Sequence, residues 1–163
     1  MTRIGLISDT HGYLHPALPS FFSGVDEIWH CGDIGNEGLL NALKKIRPTR
    51  AVYGNIDGQD IRKQCREIEI FTCESVKVLM THIGGYPGRY EPRIRTTIIR
   101  EKPGLFVCGH SHILKVIYDQ KHELLHINPG AAGKFGLHQI ITMIRFEIEG
   151  SEIRNLEISE NKK

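Results

Sequence analysis

Five short apolar runs, each followed at once by residues of the types that bind metals, constrain this chain more than any other feature. These residues form the segments Asp9-Thr10-His11, Gly32-Asp33, Gly54-Asn55-Ile56-Asp57, Thr81-His82 and Gly109-His110-Ser111-His112. Short apolar runs bounded by turn residues are typical of buried strands. Because ligands of open α/β sheets bind at the carboxyl ends of the strands, we expect these side chains to meet at one edge.

The first third of the chain has the pattern of an α/β protein. Strands are predicted over residues 3–8, 27–31 and 50–53, with helices over 14–22 and 36–46 between them. Asn36 can cap the second of these helices, because its side-chain oxygen can accept a backbone N–H. Strands that alternate with helices predict a parallel sheet with short loops at its carboxyl edge.

The remainder is predicted to be richer in strands. Hairpins are expected over residues 67–80, with the turn at 72–74, over 113–127, and over 140–158, with the turn at Glu149-Gly150. A helix over 92–102 and a buried strand over 105–108 lie between them, and a frayed tail is expected over 160–163. Residues 1–163 are therefore predicted to form a single domain, in which two sheets pack face to face with helices outside.

Composition excludes several classes of function. Lys and Arg total 21 and Asp and Glu total 19, a net charge of +2. That charge is too small to attract nucleic acid or an anionic membrane surface, so neither partner is expected. The four cysteines form no CxxC pair, and Cys31 and Cys108 are interpreted as buried, reduced thiols. With no apolar segment of membrane-spanning or signal-peptide length, the sequence predicts a cytoplasmic protein.

The candidate ligand types suit divalent cations. Carboxylate and imidazole together favour Mn, Fe, Zn, Ni or Co over metals that thiolates select. Asp9 and His11 are two residues apart, as are His110 and His112, so on extended backbone each pair would point the same way. Asp33 can bridge two cations. The amide of Asn55 offers an oxygen to a metal and an NH2 group to a phosphate.

The ordered set D-x-H, G-D, G-N-x-D, H and G-H-x-H resembles the calcineurin-like metallophosphoesterase superfamily. The match runs from Asp9 to His112, and Asn128-Pro129-Gly130 extends it. The short length without a capping insert is similar to the small YfcE-type phosphodiesterases. The resemblance implies a four-layer α/β/β/α sandwich of two mixed β-sheets flanked by helices. It also implies one metal ion on Asp9, His11, Asp33 and His112, and a second on Asp33, Asn55, His82 and His110.

The resemblance further implies hydrolysis of a small-molecule phosphate ester by a hydroxide that bridges two metal ions. Mn is the first expectation, with Ni, Fe, Zn and Mg as alternatives. One position departs from the family pattern, because Ile56 stands where many members carry a His thought to protonate the leaving oxygen. This departure favours phosphodiesters. Asp57 is expected in the catalytic site, orienting a ligand His, and Asn55 and Arg89 are expected to bind substrate.

Other interpretations remain open at this stage. The retromer subunit with this fold is a protein-interaction scaffold, but such scaffolds typically lose ligands and this chain keeps all seven. A nuclease is a third possibility, which the near-neutral charge argues against. The segment that contains Arg89 is interpreted equally well as an ordinary surface loop, and homo-oligomerisation is left open. The remaining histidines are interpreted as surface or packing residues, with His30 a candidate to support a ligand; they are His15, His30, His122, His126 and His138.

Overall fold

Twelve strands and four helices make up the chain, and the computed structural model describes all residues from Met1 to Lys163. In chain order the elements are β1 (Thr2–Ile7), α1 (Leu18–Phe21), β2 (Glu27–His30), α2 (Glu37–Ile46), β3 (Thr49–Ala51), α3 (Gln59–Arg62), β4 (Ile68–Cys73), β5 (Val76–Thr81), β6 (Gly85–Tyr86), β7 (Arg89–Tyr90), α4 (Pro92–Glu101), β8 (Leu105–Val107), β9 (Leu114–Asp119), β10 (Leu124–Pro129), β11 (Ile140–Glu149) and β12 (Glu152–Lys162).

Two five-stranded sheets form the centre of the molecule. The first has the order β12-β11-β1-β2-β3, in which β1, β2 and β3 are parallel and the hairpin β11–β12 adds antiparallel strands. The second has the order β4-β5-β8-β10-β9, with a parallel centre and an antiparallel strand at each edge. Both sheets are therefore mixed, as expected. A separate two-stranded hairpin joins β6 to β7.

Apolar side chains from both sheets fill the space between them. Trp29 of β2 is fully buried there and contacts Phe146 of β11 and Phe71 of β4 edge to face. On the outer face of the first sheet, α1 and α2 pack through Leu18 and Leu43. The outer face of the second sheet is covered by α4 and the β6–β7 hairpin. The predicted four-layer α/β/β/α sandwich is thereby confirmed.

Local chemistry sets the ends of the two long helices. Asn36 accepts a hydrogen bond from the backbone N–H of Leu39 at 2.9 Å, which confirms the predicted cap of α2. At the start of α4, Glu91 accepts from the backbone N–H of Ile94, and Pro92 occupies the first turn. Lys102 then turns left-handed, with a φ of 49°, and ends α4.

Three local predictions were wrong, and three short elements were not predicted. The helix predicted over 14–22 covers only Leu18–Phe21, because Pro16 disfavours helical backbone in the residue before it. The first hairpin turns at Glu74-Ser75 rather than at 72–74. The tail is not frayed: Lys162 pairs with Ile140, so β12 runs nearly to the last residue. The short elements α3, β6 and β7 escaped prediction because each has four residues or fewer.

No helix here combines the length and the hydrophobicity needed to cross a bilayer.

Candidate metal centre

The predicted ligands lie at the carboxyl ends of strands from both sheets. Asp9 and His11 follow β1 and Asp33 follows β2, all from the first sheet, whereas His82 follows β5 in the second sheet. His110 and His112 follow β8 and complete the set contributed by the second sheet. The candidate centre therefore lies where the carboxyl edges of the two sheets meet.

Six of these side chains form two compact groups. In the first group the ligand atoms of Asp9, His11 and His112 lie within 4.8 Å of one another. The same limit holds for Asp33, His82 and His110 in the second. The two oxygens of Asp33 connect the groups, with Oδ2 3.5 Å from His11 Nε2 and Oδ1 3.3 Å from His82 Nε2. Asp33 is thus placed to serve both groups at once.

Three atoms in these groups are buried and have no hydrogen-bond partner, namely Asp9 Oδ1, His11 Nε2 and His82 Nε2. A buried polar atom without a partner costs about 1–3 kcal/mol, so three together call for an additional ligand. Asp9 Oδ1 lies 3.2 Å from His112 Nε2 and 3.8 Å from His82 Nε2. Two ligand atoms each about 2.0–2.2 Å from one ion lie roughly 3–3.5 Å apart. The donor set and its spacing therefore fit divalent cations.

The backbone at the centre is left-handed rather than extended. The φ angles of five of the predicted ligands are positive, at 54° for Asp9, 46° for His11, 54° for Asp33, 72° for His110 and 61° for His112. The expectation that extended backbone aligns each pair was therefore wrong. Residues with a Cβ adopt this conformation at a cost of about 1–2 kcal/mol each, and such strain concentrates at functional sites.

Two glycines make room for these turns. Gly32 has a φ of 95°, and a Cβ there would lie 2.7 Å from Nδ1 of His82. At Gly54 a Cβ would overlap the carboxylate of Asp33. A side chain at either position would displace a candidate ligand, which explains why glycine precedes Asp33 and Asn55 in the motifs.

Hydrogen bonds orient the candidate ligands. His82 donates its Nδ1–H to the carbonyl of Cys31 at 2.7 Å, which turns Nε2 toward the two aspartates. Asp9 Oδ2 accepts the backbone N–H of His110 at 3.0 Å, which leaves Oδ1 for an ion. Asp33 Oδ1 accepts the backbone N–H of Ile56 at 3.1 Å. Each of these three ligands is therefore held by a contact that leaves at least one of its atoms free to bind an ion.

His30 supports the segment that carries Asp33. Its Nδ1 accepts the N–H of Gly32, and its Nε2 donates to Thr10, whose hydroxyl in turn donates to the carbonyl of Ile34. Complete burial lowers the pKa of His30 to about 4, so the ring is neutral at pH 7. His30 therefore supports the backbone on both sides of Asp33, directly at Gly32 and through Thr10 at Ile34.

The two aspartates are held in the ionised state that binds cations. Burial by itself would raise the pKa of Asp9, but the nearby imidazoles of His112 and His82 outweigh it and lower the pKa. The same balance acts on Asp33, where the nearby imidazole of His82 outweighs burial and lowers the pKa.

Asn55 and Asp57 were also predicted to belong to the site, and they lie outside the two compact groups. Asn55 is exposed and lines a cavity of about 450 Å³ together with His82. Asp57 is buried, and its carboxylate accepts the backbone N–H groups of Ile34, Gly35 and Gly54 at 2.8–3.1 Å. These contacts contradict the prediction that Asp57 orients a ligand His. Its carboxylate instead ties the loop after β3 to the loop that carries Asp33.

Arg89 does not line the cavity that Asn55 lines. It lies on β7 and lines a different cavity of about 330 Å³, which it shares with His110. The segment interpreted as an ordinary loop is therefore a short hairpin that forms one wall of a space next to the candidate centre.

Phe135 and His138 belong to the site but were not predicted. The ring of Phe135 stacks on His11 at 4.8 Å although 67% of this residue is exposed, and the ring of His138 lies 5.2 Å from that of His112. Their segment follows Asn128-Pro129-Gly130, and Gly133 N–H anchors it to the carbonyl of Asp9. The one feature of the sequence that could have pointed to Phe135 is an aromatic residue in a loop with glycines on both sides, Gly133 and Gly136.

Comparisons with known proteins agree with this geometry. The domain model of the calcineurin-like phosphoesterase superfamily matches residues 2–151. A probable metallophosphoesterase of Methanocaldococcus jannaschii, MJ0623, is 31% identical over 135 residues, which are 78% of this chain and 67% of that protein.

Solved structures share the fold at lower identity. Vps29 of Chaetomium thermophilum superposes with a TM-score of 0.77 at 13% identity, covering 99% of this chain and 97% of that one. A structure described as a novel archaeal phosphodiesterase gives 0.72 at 23% identity, covering 96% and 99%. The chain belongs to the calcineurin-like phosphoesterase superfamily and is a phosphoesterase that uses divalent metal ions.

Proposed function

We propose that this protein hydrolyses phosphodiesters with two divalent cations. One ion would be held by Asp9, His11, Asp33 and His112, and the other by Asp33, Asn55, His82 and His110. The observation that carries the proposal is the position of Asp33 between two compact donor groups whose buried atoms lack partners. Two such ions, when bound, supply a hydroxide nucleophile and the positive charge that stabilises an in-line displacement at phosphorus.

The residues of the chain itself have separate tasks. Asp33 would balance the charge of both ions, and the imidazoles of His82 and His110 would hold one of them from the second sheet. Asn55 lies exposed at the rim, where its amide NH2 can donate to a phosphoryl oxygen. Asp57 holds the loop that presents Asn55 against the loop that presents Asp33.

The preference for diesters rests on Ile56. This residue is 45% exposed, and its backbone N–H contacts Asp33, so it lies directly at the centre. An aliphatic side chain has no proton to give to a leaving oxygen. Esters with acidic leaving alcohols are therefore the best substrates. The archaeal structure of similar fold, which is described as a phosphodiesterase, is consistent with this choice.

Manganese is the metal we propose first, because mixed carboxylate and imidazole donors suit it. Zinc, nickel, iron and magnesium are the alternatives. A Vps29 structure from Entamoeba histolytica is described as a zinc complex, which supports binding of a divalent ion by this fold.

Hydrolysis of bis-p-nitrophenyl phosphate and p-nitrophenyl phosphate tests the proposal. Metal-stripped protein would receive Mn, Ni, Zn, Fe(II) or Mg, and Asn55→Ala would be compared with Asn41→Ala, an exposed asparagine on α2. We expect metal to restore hydrolysis of the diester, and Asn55→Ala to lower kcat about 100-fold because one transition-state contact is lost. Asn41→Ala should match the wild type.

Two results would contradict the proposal. A preference for the monoester would indicate a phosphatase with another acid. Absence of hydrolysis with every metal, despite two bound equivalents, would favour an interaction scaffold of the same fold. The retention of all seven ligand positions argues against that scaffold.

A further inference from the structure

A cavity of about 330 Å³ opens beside the candidate ligand His110. One wall is the β6–β7 hairpin with Tyr86 and Arg89, and another includes Lys115 of β9. His126 of β10 also lines the cavity, although it is fully buried. The space therefore borders the candidate metal centre at His110, and residues from four strands line it.

The cavity carries unpaired positive charge. Neither Arg89 nor Lys115 has a carboxylate within 4.0 Å, and Lys115 Nζ lies 4.0 Å from the centroid of the Tyr86 ring. The acidic side chain in the lining, Glu91, is already engaged, because it caps Ile94 N–H at 3.1 Å and lies 3.7 Å from Arg93 Nε. Arg89 and Lys115 therefore line the cavity without a carboxylate partner of their own.

His126 adds an unsatisfied polar group. Neither of its ring nitrogens has a hydrogen-bond partner, and the ring packs against Phe106 and Tyr90. Burial and the charge of Lys115 lower the pKa of His126 to about 4, so at pH 7 the ring offers one donor and one acceptor. Leaving such a group unpaired is costly, and a bound polar group would satisfy it.

We propose that this cavity holds one ester arm of the substrate, and that this arm carries an anionic group opposite Arg89 and Lys115. The inference rests on the proposed function, because it requires the phosphorus to be bound at the metal centre. It assigns Arg89 to the arm rather than to the phosphoryl group. A space of this size suits an arm of a few heavy atoms up to a small metabolite.

Binding of three unreactive diesters tests the inference. Methyl ethyl phosphate, methyl 2-carboxyethyl phosphate and methyl 2-aminoethyl phosphate differ mainly in the charge of one arm. Each would be titrated by calorimetry into the full-length, Mn-loaded protein. We expect the carboxyethyl ester to bind about fivefold more tightly than the ethyl ester, the upper range for one exposed ion pair. The aminoethyl ester should bind more weakly than either.

Matched variants locate the effect. The double variant Arg89→Gln/Lys115→Gln should lose the preference for the carboxylate arm. The control Lys45→Gln/Arg100→Gln removes one exposed lysine and one exposed arginine from helices outside the cavity and should keep the preference for the carboxylate arm.

In His126→Phe the packing against Phe106 and Tyr90 is retained, and we expect weaker binding of the carboxyethyl ester with no loss of thermal stability. If His126→Phe bound the carboxyethyl ester as tightly as the wild type, His126 would have only a packing role.

The outcomes separate this inference from the proposed function. The p-nitrophenyl counterparts of the same three arms would be assayed for hydrolysis. A charge preference in binding without hydrolysis of any ester would support the inference and overturn the proposed function. Hydrolysis with equal affinity for all three arms would support the function and overturn the inference.

Discussion

At the scale of single residues, polar atoms of the site fall into two kinds. Some are held by the backbone, as in Asp57, whose carboxylate accepts three N–H groups. Others point without a partner toward a common space, as do Asp9 Oδ1 and His82 Nε2. The first kind maintains the shape of the loops, and the second kind is available for cations.

Replacing Asp57 distinguishes these two tasks. We expect Asp57→Asn to lower the free energy of unfolding by about 2–3 kcal/mol, because an amide NH2 group replaces an acceptor of backbone N–H groups. Urea unfolding of metal-free protein would measure it. Asp60→Asn is the matched control, since Asp60 is exposed and accepts one backbone N–H from Glu37. Full stability with lost activity would instead place Asp57 in the chemistry.

At the scale of elements, the β6–β7 hairpin is fastened to the second sheet through Asp119. The hydroxyl of Tyr90 donates to Asp119 Oδ2 at 2.7 Å, and His122 Nδ1 lies 2.8 Å from the same oxygen. Burial opposes ionisation of Asp119, but the hydrogen bonds from Tyr90 and His122 outweigh it and lower the pKa. The position of the hairpin, and with it Arg89, therefore depends on an ionised Asp119.

A pH dependence follows from this contact. Because the pKa of Asp119 is lower in the folded than in the unfolded protein, its contribution to stability is present above the ordinary value of 3.8 and is lost as pH falls through the folded value. At pH 7 we expect Asp119→Asn to be less stable than wild type by about 1–2 kcal/mol. Urea unfolding across pH should show this difference shrinking in acid, and a difference that stays constant would contradict the assignment.

At the scale of the whole molecule, the candidate centre joins the two sheets. Asp9, His11 and Asp33 belong to the first sheet, and His82, His110 and His112 belong to the second. Cations held by side chains from both sheets would connect the carboxyl edges, and metal binding would then be coupled to folding.

Metal should therefore stabilise the fold. With Mn at about 100 times its Kd, we expect the free energy of unfolding to rise by about 2.7 kcal/mol. For a chain of this length that corresponds to a Tm higher by roughly 5–10 °C, measured by calorimetry against the same protein in chelator. Asp33→Asn should lose most of the increase, because Asp33 contacts both groups. Saturation with metal at an unchanged Tm would show that the unfolded chain binds the ions equally well, which would contradict a site that requires both sheets to be folded together.

Much of the site could be predicted because its residues directly follow strands. A short apolar run marks a buried strand, and a parallel sheet collects the residues after such strands at one edge. The partners of Asp57 could not be predicted, since Ile34 and Gly35 lie more than twenty residues away along the chain. The neighbours of Arg89 and the stacking of Phe135 on His11 also depend on loops that have no periodic pattern.

The residues themselves were enough to establish which side chains follow which strand, and hence the chemistry available at the carboxyl edges. That information is local, because it lies in the pattern of apolar residues along each strand and in the glycines next to the ligands. The family resemblance implied two ligand sets that share Asp33, but only the tertiary structure gave the distances between these side chains and showed that five of the ligands have left-handed backbone. Those features arise when two sheets distant in sequence pack together, since the packing of Trp29, Phe146 and their neighbours sets where the edges meet.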